Sequence, residues 1–504
     1  METHGRKTIY ANYTENEILS ASEPKRKEMI IDILKNSIGI HEQNKTETNY
    51  LKEYHRGNQD IYITKKKTTR PEINNKTVEN WAYAFIDFKK GWLLGKPIQY
   101  VQIDEKGEEE LSILNKYCRY ENKKTKDSLL LEDILVCGRA FRFVKADTNK
   151  EQDEAPFELI NVDSSLCEVV YSSKLGNEQL LSYIETSMKY IDTDDDGKEI
   201  EKYYSIYTVY LKNKMYTVDA KNNYVITNEK PLVINEHCIT EYYLNKSRLS
   251  LIEIGKDLFN DINYLESLDK DDMEQFVNAI MVFTNAEIDE DGIDKIREMG
   301  AVSISSTEGR DAKIELLEQR LNANTTNMYY SRLLNSLHQI LGIPKAGDNG
   351  EVSYGDTGQA RLTGQGFTSA GIRAENDENM FSMCDMNSMK IVLKICKQVS
   401  NSKITKLSLS DFEPRFNRDR NDNILVKTQA LLNLLEADIP RGIANAQIGL
   451  FNDPTEVTAE QNRLFGEQVS SRNVKNGDTT NDVDKANNQN NKIKNIEQVS
   501  KQSL

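Results

Sequence analysis

The residues with the clearest metal-binding spacing are the aspartates of the run Asp192-Thr-Asp194-Asp-Asp196-Gly197. Oxygen ligands at alternate positions before a glycine are typical of the first half of an EF-hand calcium loop. The bidentate glutamate expected at the last loop position is missing, because Tyr203 stands there, and the flanking residues alternate like strands. The pattern favours a hairpin turn, with calcium bound by Asp192, Asp194 and Asp196 as the alternative.

Other catalytic signatures are absent from the sequence. It contains no Walker loop, nucleophile elbow, His-Glu-x-x-His motif or dinucleotide fingerprint, and its five histidines are isolated. Its six cysteines include no Cys-x-x-Cys pair, which favours reduced, mostly buried thiols over a zinc site or a disulfide framework. We therefore expect no cofactor and no enzyme, while the abundant carboxylates leave a metal-dependent enzyme open as an alternative.

A long polar loop is predicted between Gly342 and Gly358. It begins Gly-Ile-Pro-Lys345 and continues with glycines and polar residues that have no hydrophobic period, which indicates a mobile loop. A long connection of this kind between helices is usually functional or disordered.

Long helices are predicted on both sides of this loop. Apolar residues recur every three or four positions from Asn245 to Phe276, which predicts a helix about 45 Å long, and again over Asn324–Leu341. The intervening Val277–Leu321 predicts a small α/β insertion that is too short for a core of its own. After the loop a third helix runs towards Ser400, and its early glycines predict a kink.

The rest of the chain predicts an α+β protein. Residues 1–60 have helical patterning that Gly39 and Gly57 interrupt, and Val78–Leu94 is a helix that Thr77 or Asn80 caps. Two further helices precede an antiparallel sheet that starts at Arg139. Beyond a strand at Leu407–Phe416 we predict short helices, then an Asn-rich disordered tail after about Ser470.

The charge and hydropathy of the chain exclude several classes of protein. The formal net charge is −15, and the densest basic run, Thr64–Arg70, is interpreted as a solvated loop, so tight binding of DNA along most of the surface is not expected. No apolar run is long enough to span a membrane, and the N-terminus lacks the apolar core of a signal peptide. We expect synthesis in the cytoplasm of the host cell.

Three motifs, in this order, resemble the portal proteins of tailed double-stranded DNA bacteriophages, in particular those of siphophages with Gram-positive hosts. The first is Asn74-Asn-Lys-Thr-Val-Glu-Asn-Trp81 with Trp92-Leu-Leu-Gly-Lys-Pro97, which is similar to an early helix of the family. The second, Leu258-Phe-Asn-Asp-Ile-Asn263, resembles the start of the stem, and the third, Leu341-Gly-Ile-Pro344 with the loop after it, resembles the tunnel-loop region. The resemblance covers about residues 70–469.

The resemblance implies an elongated subunit of a ring, usually a dodecamer, at one vertex of the virion capsid. The implied regions are a β-rich wing (1–246), stem helix 1 (247–277), an α/β clip (278–323), stem helix 2 (324–341), a tunnel loop (342–358), a long kinked helix with a returning wing strand (359–420), a helical crown (421–466) and a disordered tail (467–504). The implied loop residues facing the channel are Lys345, Asp348, Asn349, Glu351, Tyr354 and Asp356.

The implied partners are proteins of the phage and its DNA. Double-stranded DNA would pass through the channel during packaging and ejection without sequence-specific binding, because acidic walls repel phosphates. A separate terminase, a head-completion adaptor, and the major capsid and scaffolding proteins would dock on the ring, with no membrane contact. Besides the metal-dependent enzyme, an assembly protein without a channel stays open as an alternative.

Overall fold

The computed structural model describes most of the chain in segments that together carry the helices and sheets. The described residues are 3–68, 71–103, 108–147, 154–193, 199–221, 223–277, 280–284, 286–287, 305–306, 313–317, 323–345, 367–400, 402–416, 424–448, 450–451, 454, 457–458 and 460–464. The chain divides into two compact units, Met1–Asp422 and Asn423–Leu504.

The N-terminal region is mainly helical. Strand β1 (Ile9–Ala11) precedes helices α1 (Glu15–Ser20), α2 (Glu23–His55), α3 (Ile61–Thr64) and α4 (Trp81–Leu94). The expected interruption at Gly39 is wrong, because α2 continues through it; a single glycine weakens a helix by only about 1 kcal/mol and tertiary packing outweighs this. Of the two candidate caps of α4, Asn80 is the one used, and its side chain accepts a hydrogen bond from the Tyr83 amide.

The strands of this part of the chain form three sheets, where the sequence predicted a single antiparallel sheet. The strands are β2 (Gln99–Gln102), β3 (Ala140–Ala146), β4 (Phe157–Val162), β5 (Cys167–Ser172), β6 (Gln179–Thr193), β7 (Glu199–Tyr210), β8 (Lys214–Asp219), β9 (Val225–Pro231), β10 (Ile239–Tyr242) and, far along the chain, β15 (Phe412–Arg415). The largest sheet has the order β1-β5-β6-β7-β8-β9 and is antiparallel except at its edge, where β1 pairs in parallel with β5. The smaller ones are β10-β3-β4 and β15-β2.

Helices α5 (Glu108–Tyr120) and α6 (Lys123–Cys137) lie between β2 and β3 in the chain. Helix α7 spans Leu251–Val277 and α8 spans Ala323–Leu341, which confirms the two predicted long helices. Between them the structure describes two short antiparallel pairs, whose strands are β11 (Ile280–Thr284), β12 (Ala286–Glu287), β13 (Ser305–Ser306) and β14 (Lys313–Leu317).

Helix α9 (Phe367–Gln398) is the third long helix. It runs through Gly371 as one helix, while the predicted start of this helix at 359–366 lies outside the described residues. The predicted strand at Leu407–Phe416 is mostly a turn, because Ser408 and Asp411 form a capping box on a short 3-10 helix and only Phe412–Arg415 pairs. The second unit contains α10 (Ile424–Glu436) and α11 (Arg441–Ile448).

The largest apolar core lies mainly between the helices, with Ala140 of β3 and Tyr242 of β10 also in it. It contains Phe85 of α4, Leu131 of α6, Phe259 of α7, Leu337 of α8 and Phe381 of α9, all of them buried. A second core packs the first half of α2 against the six-stranded sheet. The aromatic residues of α4 lie in the first core, with Phe85 buried and Trp81, Phe88 and Trp92 partly buried against it.

Candidate channel-facing segment and its supports

Helices α7 and α8 form a closely packed antiparallel pair. Gly255 of α7 allows the close approach, because a Cβ atom there would lie 2.8 Å from the Phe259 ring and 3.0 Å from Leu337. Further along α7, Asn263 accepts a hydrogen bond from the Glu79 amide at 2.8 Å, and the Glu79 carboxylate accepts one from the Tyr330 hydroxyl of α8 at 2.7 Å. Tyr330 precedes Leu337 whereas Asn263 follows Gly255, so the two helices are antiparallel. The shared interface therefore runs along much of both helices.

The end of α8 is attached to the start of α9 by an arginine clamp. The Arg373 guanidinium donates hydrogen bonds to the carbonyls of Ile340 and Gln339, at 2.7 and 3.1 Å. A cation is favourable here, because the last carbonyls of a helix are unpaired and carry the negative end of its dipole. Gly342 follows with φ 68°, and the Arg373 side chain packs against it. The end of α8 and the beginning of α9, which precede and follow residues 346–366 in the chain, are therefore attached to each other.

Only one of the six predicted loop residues lies in the described part of the chain. Lys345 is half-buried beside α8, where burial lowers the pKa of His338 and the charge of Lys345 lowers it further. The His338 Nδ1 atom is 3.2 Å from the Ile343 carbonyl oxygen. The other candidates, Asp348, Asn349, Glu351, Tyr354 and Asp356, lie outside the described residues.

The strands on either side of the calcium candidate are paired with each other. Strands β6 and β7 pair in register up to Thr193 and Glu199, as the alternation of residues predicted. Asp192 forms an ion pair with Lys202, whose ammonium lies 2.7 Å from one of the carboxylate oxygens. Asp194 and Asp196 lie outside the described residues.

Residues 65–68 and 71–79, called the strap below, include side chains and backbone amides that bond to α7. The Lys65 ammonium is buried, 2.7 Å from Asp271 on α7, and it also donates to the carbonyls of Ser267 and Asn75. The backbone amides of Asn75, Thr77 and Glu79 donate to Asp271, Ser267 and Asn263 at 2.7, 2.9 and 2.8 Å.

The interpretation of Thr64–Arg70 as a solvated run is therefore wrong for Lys65. Its counterion lies 206 positions away in sequence, and no local pattern predicts it. The polar positions 263, 267 and 271 of α7 recur every four residues and so share one face of the helix. This polar stripe is the feature of the sequence that could have indicated a polar contact on α7.

A buried charged cluster joins α2 to the six-stranded sheet. His41 Nε2 lies 2.9 Å from Glu185, its Nδ1 atom lies 3.5 Å from Glu168, and Lys45 is 2.7 Å from Glu185. Burial opposes the charged imidazole, but the hydrogen bonds and charges of Glu168 and Glu185 outweigh it and raise the pKa of His41 to about 9. His41, Glu42 and Glu185 have the spacing of metal ligands, yet a protonated imidazole and an adjacent ammonium fit an ion-pair cluster better than a cation site.

A second buried cluster anchors α9. Asp385 lies 3.0 Å from the Lys123 ammonium and accepts a hydrogen bond from the Tyr100 hydroxyl at 2.6 Å. Burial raises the pKa of this carboxyl, but Lys123 and its other partners keep the pKa below its usual value. Because β2, α6 and α9 meet at these side chains, the cluster fixes the position of α9 relative to the sheets.

The six cysteines are free and buried, as expected, and burial raises the pKa of each thiol. None of the helices in the described ranges is long and apolar enough to cross a membrane.

Comparison with known proteins decides the family. The sequence model of the family described as phage portal protein, SPP1 Gp6-like, matches residues 34–464. The chain belongs to this family. The match confirms the resemblance to phage portal proteins, and it does not distinguish the type of host. No curated protein matches the chain.

Membership carries the general features of a phage portal protein. The chain is a structural bacteriophage protein of the capsid vertex, and its family forms capsid-associated oligomers that serve DNA packaging. The mixed helix and sheet composition is consistent with the α+β fold predicted for such a protein. The metal-dependent enzyme is not favoured.

Proposed function

We propose that this chain is the subunit of a ring, a dodecamer in the virion, that surrounds the channel through which phage DNA is packaged and ejected. The observation that carries the proposal is the family match over residues 34–464, which includes α7, α8 and the residues between them. The ring has no sequence preference for DNA and performs no chemistry. The energy for packaging comes from a separate terminase.

Each region then has a place in the subunit. Residues 1–246 form the wing, α7 and α8 form the stem within 247–277 and 324–341, and residues 278–323 form the clip. Residues 342–358 form the tunnel loop, 359–420 contain the long helix and the returning strand, 421–466 the crown and 467–504 the tail. Support comes from the positions of α7 and α8, from the short strand pairs between them, and from β15, which returns to pair with β2.

The tunnel loop is the proposed contact with moving DNA. Lys345, Asp348, Asn349, Glu351, Tyr354 and Asp356 face the channel in this proposal, and the three acidic residues repel phosphates, so DNA slides without adhering. The hydrogen bonds of Arg373 to the end of α8 support this role of the loop, since a loop that contacts a moving polymer needs ends that are held in place.

The proposed partners dock on different parts of the ring. Terminase and then the head-completion adaptor bind at the clip, whose short strand pairs complete their packing against neighbouring subunits. Scaffolding and major capsid proteins contact the wing and crown from the capsid side.

Two experiments test the proposal. Native mass spectrometry and negative-stain images of the purified full chain should reveal rings; a monomer at every salt and magnesium concentration would exclude a portal ring. Replacing residues 345–358 by a Gly-Ser segment of equal length should leave rings intact and reduce the DNA packaged or retained. Replacing residues 467–480 in the same way is the matched control. Normal packaging with the loop replacement would exclude a role of this loop in DNA contact.

A further inference from the structure

The face of α7 that points away from the buried Phe259 is acidic. Measured at 100° per residue, Ile254, Asp257, Asp261 and Tyr264 all point within about 40° of the direction opposite to the buried Phe259. Ile254 and Tyr264 are 47% and 49% exposed. In the described part of the chain neither aspartate has an ion-pair partner, and partial burial together with the charge of Asp257 raises the pKa of Asp261.

The outward face of α8 is basic. Met328, Arg332 and Gln339 point within about 40° of the direction opposite to the buried Leu337, and all three are exposed. Met328 is 74% exposed. Among the described residues Arg332 has no carboxylate within ion-pair distance, so this face carries one uncompensated positive charge.

The two faces point in opposite directions and lie at the same height along the pair. The helices contact each other through Phe259 and Leu337, so the surfaces opposite to these residues lie on the two outer sides of the pair. Leu337 lies beside Gly255, and the helices are antiparallel. Arg332 lies five positions before Leu337, and in an antiparallel pair this places it level with residue 260, which lies five positions after Gly255. Along the helix axis Arg332 therefore lies between Asp257 and Asp261.

We propose that neighbouring copies of this chain pack the acidic face of α7 against the basic face of α8, with Arg332 of one copy between Asp257 and Asp261 of the next. The inference rests on the proposed ring. A closed ring joins two different faces of each subunit, and these faces meet that requirement. A two-fold dimer would instead place each face against itself, where like charges repel.

Charge reversal tests this interface. Arg332→Glu makes both faces acidic, and the double variant Asp257→Lys/Asp261→Lys makes both basic. The fraction of protein in rings should therefore fall about tenfold or more in each variant alone, because like charges then meet at every interface. Mixing the two variants in equal amounts should restore rings of alternating subunits, because every interface then joins opposite charges. The triple variant, with both faces reversed, should form rings alone. Arg119→Glu on α5 is the matched control and should assemble like the wild type.

Native mass spectrometry at low micromolar concentration measures the ring fraction, and circular dichroism checks that each variant is folded. Rings from either reversed variant alone would overturn the interface while leaving the portal function standing. A folded variant that neither the mixture nor the triple variant restores would overturn it as well. Intact Arg332→Glu rings with altered DNA retention would assign Arg332 to the channel instead. A wild type without rings would refute the proposed function itself.

Discussion

Gly342→Ala is the substitution whose cost the structure defines best. At φ 68° an L-residue is strained, and the new Cβ atom would lie 2.2 Å from Cδ of Arg373. The left-handed conformation costs about 1–2 kcal/mol. Displacing Arg373 removes its hydrogen bonds to the Ile340 and Gln339 carbonyls, which adds about 1–2 kcal/mol. We therefore expect a local destabilisation of about 2–4 kcal/mol.

Hydrogen exchange is the appropriate assay, because a chain of this size need not unfold in a single step. Amides at the end of α8, around His338–Gly342, should exchange about 30-fold faster or more in Gly342→Ala than in the wild type. In an Arg373→Ala background only the backbone strain remains, so the same substitution should cost about 1–2 kcal/mol.

Gly176→Ala is the control for backbone strain alone. Gly176 also has a positive φ, but nothing lies within 4 Å of its added Cβ. It should leave exchange at the end of α8 unchanged. Equal costs of Gly342→Ala with and without Arg373 would refute the claim that this arginine packs on the glycine.

Two further predictions concern buried charges. The pKa of His41 in the folded protein is about 9, above the 6.5 of a free histidine, so its contribution is complete below pH 6.5 and is lost as the pH rises to about 9. The free energy of unfolding of the wild type should therefore fall relative to that of His41→Gln by up to about 3 kcal/mol over this range in urea titrations, and parallel curves would contradict the charged imidazole. Asp271→Ala leaves the Lys65 ammonium buried without its counterion, which should cost about 3–5 kcal/mol and expose the strap to trypsin near Lys65. Asp272→Ala, one position along α7, is the control, and equal cleavage of both variants would argue against the strap.

Local patterns predicted most of the regular elements. The recurrence of apolar residues every three or four positions placed α4 and α8 within three residues of their ends. It placed the end of α7 within one residue, but α7 begins at Leu251, six residues later than predicted. Strict alternation placed β6 and β7, and the missing glutamate at Tyr203 favoured the hairpin between them over an EF-hand. Both signals work because the period of side chains along a helix or strand is a property of consecutive residues.

Pairings between distant segments were not predictable in the same way. The parallel edge strand β1 depends on β5, more than a hundred residues later, and so no pattern within residues 9–11 indicates it. The predicted strand near Leu407 became mostly a turn, because the Ser408 and Asp411 side chains bond the backbone locally.

The sequence by itself determined the helical and strand segments, the acidic balance and the order of motifs that resembles a portal protein. Only the tertiary structure decided where the charges lie. It buried His41 and Lys65 beside carboxylates from distant segments, attached Arg373 to the end of α8, and left Arg332 and Asp261 on opposite outer sides of one helix pair. The reason is physical: periodicity acts over a few residues, whereas an ion pair depends on distance in space, which only the packing of the whole chain sets.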